Sequence, residues 1–288
     1  MVKDLTSTFR LPAVDPTLVI VGLNRSGTTA LSHSFSNHPA VEVFKDPGKH
    51  VFEATGIVDF SHYFTPRLRE TSKLRVIKQS IGQYTAELCT IPIYPMMERR
   101  PDFIRKVHHV FLLRRPSDIW QSWQTMSRLV HTSDDLEMRR AWRQLQRDKG
   151  FDIDWGNAGL FDLAFRYFYQ TFLYVSKIAP ESTRVILYDE IVDRDLAACR
   201  MQEICSSVGL SFTEDMIEWV HPFGVPAPNV VDGIRRPIDD PHRQMIHRKL
   251  LKSSRIGDLT VDPPGVDLWP ELDRMHSTMS DFGGRTKA

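Results

Sequence analysis

Apolar residues fall along this chain in short continuous runs, each followed by a longer stretch of helical periodicity. Leu18-Val19-Ile20-Val21 is such a run. It ends at Gly22 and reads as a strand buried on both faces. Thr28 to Asn37 follows as a helix, stopped by His38-Pro39, since the residue before proline avoids helical backbone. Val41-Glu42-Val43-Phe44, Leu74-Arg75-Val76-Ile77 and His109-Val110-Phe111-Leu112-Leu113 are three more strands. Pro116 opens the next helix at a position proline tolerates. Asn157 caps a long aromatic-rich helix reaching about Ile178, Arg184-Val185-Ile186-Leu187-Tyr188 is a fifth strand, and Leu196 to Val208 is a helix ended by Gly209. Residues 133–149 are dense in charge and read as a solvated helix face or a lid. From Pro222 onward proline and glycine multiply and the regular pattern fades.

Strands alternating with helices predict an α/β fold with a central, mostly parallel sheet flanked by helices. No linker splits the chain and no internal repeat is evident, so residues 1–288 are expected to form one domain. Its core is expected at about 17–260, with 261–288 as a C-terminal tail.

Composition narrows the partners. Lys and Arg number 37 against 36 Asp and Glu, a formal net charge of +1 in 288 residues. That balance argues against a general nucleic-acid or membrane-surface binder, while leaving room for a local basic pocket. The apolar stretch from Leu160 to Ile178 is interrupted by Asp162, Arg166 and Lys177 and makes a poor membrane span. The three cysteines form no CxxC pair, and the first residues contain no apolar leader segment, so a reducing, cytoplasmic setting is expected. His242 and His247 do not share a helical face and no HExxH occurs, so no metal is expected.

The chemistry is concentrated in two strand–loop–helix segments. Gly22-Leu23-Asn24-Arg25-Ser26-Gly27-Thr28-Thr29 follows a strand and opens a helix. In that context backbone N–H groups and the helix N-terminus favour an anion. The glycine spacing is that of a P-loop, but Thr28 stands where the lysine would be, and a cation appears earlier at Arg25. This suits an anionic nucleotide end but not ordinary ATP or GTP. The second segment, Leu113-Arg114-Arg115-Pro116-Ser117-Asp118-Ile119-Trp120-Gln121-Ser122, puts Arg114 at the carboxyl end of a strand, where open α/β sheets bind ligands. Arg114 and Ser122 can converge on one anion.

Arg-Ser-Gly-Thr-Thr after a buried strand, together with Arg-x7-Ser, resembles the phosphosulfate-binding motifs of the sulfotransferases that use 3′-phosphoadenosine 5′-phosphosulfate (PAPS). The arginine variant followed by His38-Pro39 is similar to the tyrosylprotein and bacterial branch. The resemblance implies a single P-loop-like domain in which Arg25, Ser26, Gly27, Thr28 and Thr29 hold the 5′ end of the cofactor. Arg114 and Ser122 would then hold its 3′-phosphate. Arg115 stands where the family often has Asp.

Further positions carry over in the same way. Lys78, read as the end of the third strand, would lie near the bridging oxygen of the phosphosulfate. Ser80 replaces the histidine base of the cytosolic branch, so another base is needed. Asp46, 21 residues after Arg25, has a spacing similar to that of the catalytic glutamate of the tyrosylprotein branch. Glu42, His50, Glu53 and His62 are fallback bases. Tyr188, in a segment resembling Tyr-Glu-Asp-Leu, would contact the adenine or a phosphate. Arg255 and Gly257 resemble a late loop closing over the nucleotide.

The catalytic set is thus Asp46, Lys78 and Arg25. The expected reaction moves a sulfuryl group from PAPS to a hydroxyl or amine of a small-molecule acceptor and releases adenosine 3′,5′-bisphosphate (PAP), with no metal required. The alternatives are a P-loop small-molecule kinase using ATP with Mg²⁺, and a catalytically silent PAP-binding protein. A homodimer stays open, because no interface motif stands out.

Overall fold

The computed structural model describes residues 17–46, 73–82, 85–90, 101–131, 156–217 and 269–285, with a few helical positions between 136 and 143. The first strand, β1 (Thr17–Leu23), is buried along its whole length. Its side chains alternate between two apolar layers. Leu18 and Ile20 join a cluster on one face, while Val19, Val21 and Leu23 join a cluster on the other. A strand covered on both sides has no solvated face to mark with polar residues, which is why its sequence is a continuous apolar run.

Helix α1 (Thr28–Ser36) follows, then β2 (Val41–Lys45) and β3 (Leu74–Ile81). Two short helices, α2 (Ala86–Cys89) and α3 (Pro101–Lys106), precede β4 (His108–Leu113). Then come α4 (Pro116–His131), α5 (Ala158–Ile178), β5 (Thr183–Leu187), α6 (Tyr188–Val192), α7 (Arg194–Ser207), a 3-10 turn at Glu214–Met216, and α8 (Trp269–Arg285). The described strands form one sheet in the order β2-β3-β1-β4-β5, and all four pairings are parallel. The α/β architecture with a central parallel sheet is therefore as the sequence pattern predicts.

The face carrying Val19, Val21 and Phe111 is covered by α4, α5 and α8. On α5, Phe161, Phe165, Phe168 and Phe172 recur at helical spacing and are all fully buried. Phe111 meets Phe168 and Phe172 with ring centroids 5.9 and 5.4 Å away. The aromatic helix is thus core packing. Its start is set by Asn157, whose Oδ1 accepts the Leu160 N–H at 3.0 Å. The opposite face packs α1 and α7 against Leu18, Ile20, Val110 and Ile186.

Three elements differ from the sequence expectation. Strand β3 does not end at Lys78 but runs on to Ile81. The polar triplet Lys78-Gln79-Ser80 reads as a strand end, yet all three residues are buried, with their polar groups partnered inside the fold. Tyr188 is not the last residue of β5; it opens α6. Finally, regular structure returns after Pro222. Helix α8 buries Leu272 and Met279 completely, and its Arg166–Glu271 contacts, at 2.7 and 2.6 Å, tie it to α5. Glycines 283 and 284 weaken its helical signature in sequence. Gly283 nonetheless fits closely there, because a Cβ would stand 3.0 Å from the Val185 carbonyl oxygen.

Candidate active site

The carboxyl ends of the five described strands open on one side of the sheet, where parallel α/β folds bind ligands. The loop between β1 and α1 lies at the centre of that edge. Its turn begins with Asn24 N–H donating to the Ile81 carbonyl at 2.7 Å and Ser26 N–H donating to the Leu23 carbonyl at 3.0 Å. Arg25 and Gly27 then adopt positive φ, 75° and 99°. This curled backbone is the kind that turns successive N–H groups toward one point.

Two close approaches explain the glycines. A Cβ on Gly22 would lie 2.6 Å from the Ser26 hydroxyl, and a Cβ on Gly27 would lie 2.6 Å from the Tyr188 ring. Gly27 also serves as N-cap of α1 with no side-chain cap, and no acidic residue occupies the first turn. The helix thus presents uncompensated N–H groups and partial positive charge to the loop.

Two guanidinium groups converge on the same loop. Arg25 Nε donates to Ser122 Oγ at 3.0 Å, and Arg114 Nη1 donates to the Arg25 carbonyl at 3.1 Å. Arg114 lies over the Tyr188 ring, 4.3 Å from its centroid, in a cation–π contact. Burial, and then the neighbouring Arg114 cation, lower the Arg25 pKa from its usual value. Among the described residues no carboxylate pairs with either arginine. The Ser26 hydroxyl, Asn24 Nδ2 and Arg114 Nε are buried with no hydrogen-bond partner there. Like charges brought together beside unpaired buried polar groups are costly unless an anion completes the set. The cluster therefore fits a bound phosphate or sulfate ester.

The expected residues assemble only in part as anticipated. Arg25, Ser26, Gly27 and Thr28 form the loop and helix start; Thr28 is buried and its hydroxyl lies 3.1 Å from Ser80 Oγ. Thr29 is exposed. Arg114 and Ser122 do meet, but through Arg25, which both contact. Arg115 points away and pairs with Asp118 at 3.1 Å. Arg255 and Gly257 lie outside the described residues, as do His50, Glu53 and His62.

A second cluster borders the loop. Asp46, at the end of β2, has φ 46°, an uncommon conformation for a residue with a side chain. Three contacts hold it there: its N–H donates to the Lys78 carbonyl at 2.6 Å, Lys78 Nζ donates to Oδ2 at 2.5 Å, and Ser80 N–H donates to Oδ1 at 2.7 Å. The Lys78 side chain is only 5% exposed. Lys78 is thus mid-strand and partnered by a carboxylate, rather than a strand-end cation. Ser80 links the two clusters, joining Thr28 through its hydroxyl to the Asp46 carboxylate through its N–H.

Sequence reasoning misses two contributors. Trp123 Nε1 donates to the Asn24 carbonyl at 2.9 Å, pinning the loop to α4. Its position next to Ser122 on an amphipathic helix is the only available signal. Asn24 contributes the unpaired buried amide noted above. Among the described residues no group of three or more His, Cys, Asp or Glu is placed to hold a metal ion, and no helix is long and apolar enough to cross a membrane.

No protein-family model matches the sequence, and no curated protein matches it. Solved structures do. The sulfotransferase domain of the olefin synthase from Synechococcus PCC 7002 matches with a TM-score of 0.50 and 12% identity, covering 94% of this chain and 98% of that one. Mouse sulfotransferase SULT7A1, in complex with PAP, matches with a TM-score of 0.50 and 16% identity, over 96% of this chain and 88% of that one. At such identities the likeness is one of fold.

Proposed function

We propose, taking as premise that this chain has the fold of the PAPS-dependent sulfotransferases, that it transfers a sulfuryl group from PAPS to a hydroxyl or amine of a small-molecule acceptor and releases PAP. The observation that carries this reading is the convergence of Arg25 and Arg114, without a carboxylate partner among the described residues, on a glycine-bounded helix N-terminus.

PAPS, when bound, supplies the activated sulfuryl group. Arg25, Ser26, Gly27 and the first N–H groups of α1 would hold its 5′-phosphate end. Arg114 and Ser122 would hold the 3′-phosphate, and the Tyr188 ring would border the nucleotide. Asp46 is the base: its carboxylate takes the proton of the acceptor as the acceptor's oxygen or nitrogen bonds to sulfur and the bond from sulfur to the bridging phosphate oxygen breaks. Lys78, held against Asp46, supplies positive charge beside that oxygen. Catalysis on this scheme is positioning plus charge stabilisation.

Calorimetric titration with PAP, and separately with ATP plus Mg²⁺, tests the cofactor class. The expected result is metal-independent PAP binding that Arg114→Ala abolishes. ATP binding without any response to PAP would replace this reading with the kinase. PAP binding with no turnover of any acceptor under a PAPS screen would leave a silent binding protein.

A further inference from the structure

The ring of Tyr188 occupies a demanding position. It lies against the backbone of Gly27 and beneath the guanidinium of Arg114, so its placement shapes both sides of the anion cradle. Tyr188 is the first residue of α6, a helix of five residues that is too short to hold its own start. Its N-cap position is Leu187, whose side chain has no acceptor for the exposed N–H groups. Something else must fix where strand β5 stops and the helical turn begins.

That group is Glu190. Its Oε2 reaches back to accept the Leu187 N–H at 2.9 Å, the reciprocal half of a capping box. Its Oε1 accepts from Arg200 Nη2 on α7 at 2.5 Å, and Arg200 Nη1 donates to Glu203 at 2.6 Å. Arg200 and Glu190 have side chains only 11% and 14% exposed, so this is an interior contact rather than a solvated ion pair. A charge-assisted bond from a planar, buried guanidinium leaves the glutamate few alternative rotamers.

We propose that Glu190, oriented by Arg200, is a positioning residue for the site: it sets the β5–α6 junction and thereby the Tyr188 ring over Gly27 and Arg114. The consequence for cofactor affinity rests on the proposed function; the lock itself does not.

The test has two readouts on the full-length protein. The first is hydrogen exchange at the Leu187 amide without ligand. Glu190→Ala should speed that exchange about tenfold or more, Glu190→Gln should keep it slow because the amide oxygen still accepts, and Arg200→Met should fall between them. The second is a double-mutant cycle in PAP affinity. Glu190→Ala should weaken binding about tenfold in the wild-type background and add nothing in the Tyr188→Ala background, because the glutamate acts through the ring. A merely structural role would weaken both backgrounds alike, and that outcome overturns the proposal, as does unchanged Leu187 exchange in Glu190→Ala. Should Glu190→Ala not fold, Arg200→Met takes its place in both readouts, with Glu190→Gln as the variant that keeps the contact. A wild-type chain that ignores PAP would refute the cofactor reading, while the exchange result would still decide the lock.

Discussion

Lys78, in the middle of β3, and Asp46, just past the end of β2, face each other in a 2.5 Å ion pair, and Ser80 N–H holds the second carboxylate oxygen at 2.7 Å. The pair joins the proposed base to the proposed charge-stabilising group in one unit. Asp46→Asn is expected to lower turnover by about 10²–10⁴-fold while PAP affinity is retained. The Asp46→Asn/Lys78→Met double variant should be little worse than Asp46→Asn alone, because the two act together. Steady-state rates with PAPS beside calorimetric affinities decide this. Unchanged activity in Asp46→Asn would remove Asp46 from the scheme.

The same pair bears on stability. Lys78→Met removes the cation that faces a mostly buried carboxylate and should cost about 3 kcal/mol. Adding Asp46→Asn to it should recover part of that loss. Denaturant midpoints of the two variants supply the comparison.

Gly27 is constrained twice, by φ 99° and by the Tyr188 ring 2.6 Å from where a Cβ would stand. Gly27→Ala is expected to destabilise by about 1–3 kcal/mol and to abolish PAP binding. Tyr188→Ala should relieve the steric part but not the backbone part. Melting temperatures of the single and double variants separate the two contributions.

Burial lowers the pKa of His109 to about 4, against an ordinary 6.5, while the Ile104 carbonyl accepts its Nε2–H at 2.8 Å. A depressed histidine pKa means the folded state binds fewer protons than the unfolded chain. Its stabilising contribution is therefore complete above pH 6.5 and is lost as pH falls toward about 4. The loss amounts to about 3 kcal/mol. His109→Gln should flatten stability against pH across that window, as urea midpoints at successive pH values would record.

The adjacent glycines of α8 have opposite expectations. A Cβ on Gly283 would press on the Val185 carbonyl at 3.0 Å, whereas Gly284 has nothing within 4 Å. Gly283→Val should destabilise by about 1–3 kcal/mol. Gly284→Ala should stabilise by about 0.5–1 kcal/mol through helix propensity. Thermal unfolding of the two variants tests whether α8 docks on β5 in solution.

The strand–loop–helix core was legible in the sequence because its signals are local. A run buried on both faces must be apolar, as Leu18 to Val21 are, and a loop that curls before a helix must carry glycine where Gly27 stands. Arg25 and Arg114 were legible as cations flanking such turns. The sequence could not show that Lys78, Gln79 and Ser80 continue a strand, since partners for their polar side chains, such as Asp46 for Lys78 and Thr28 for Ser80, come from elements distant in the chain. Nor could it show α8, whose glycines are poor helix formers and whose register depends on fitting against Val185. The meeting of Arg25 with Ser122 and Arg114, and of Tyr188 with Gly27, joins residues far apart in the chain. Those contacts exist because parallel strand order brings every carboxyl end to one edge of the sheet, a consequence of topology that no local pattern encodes.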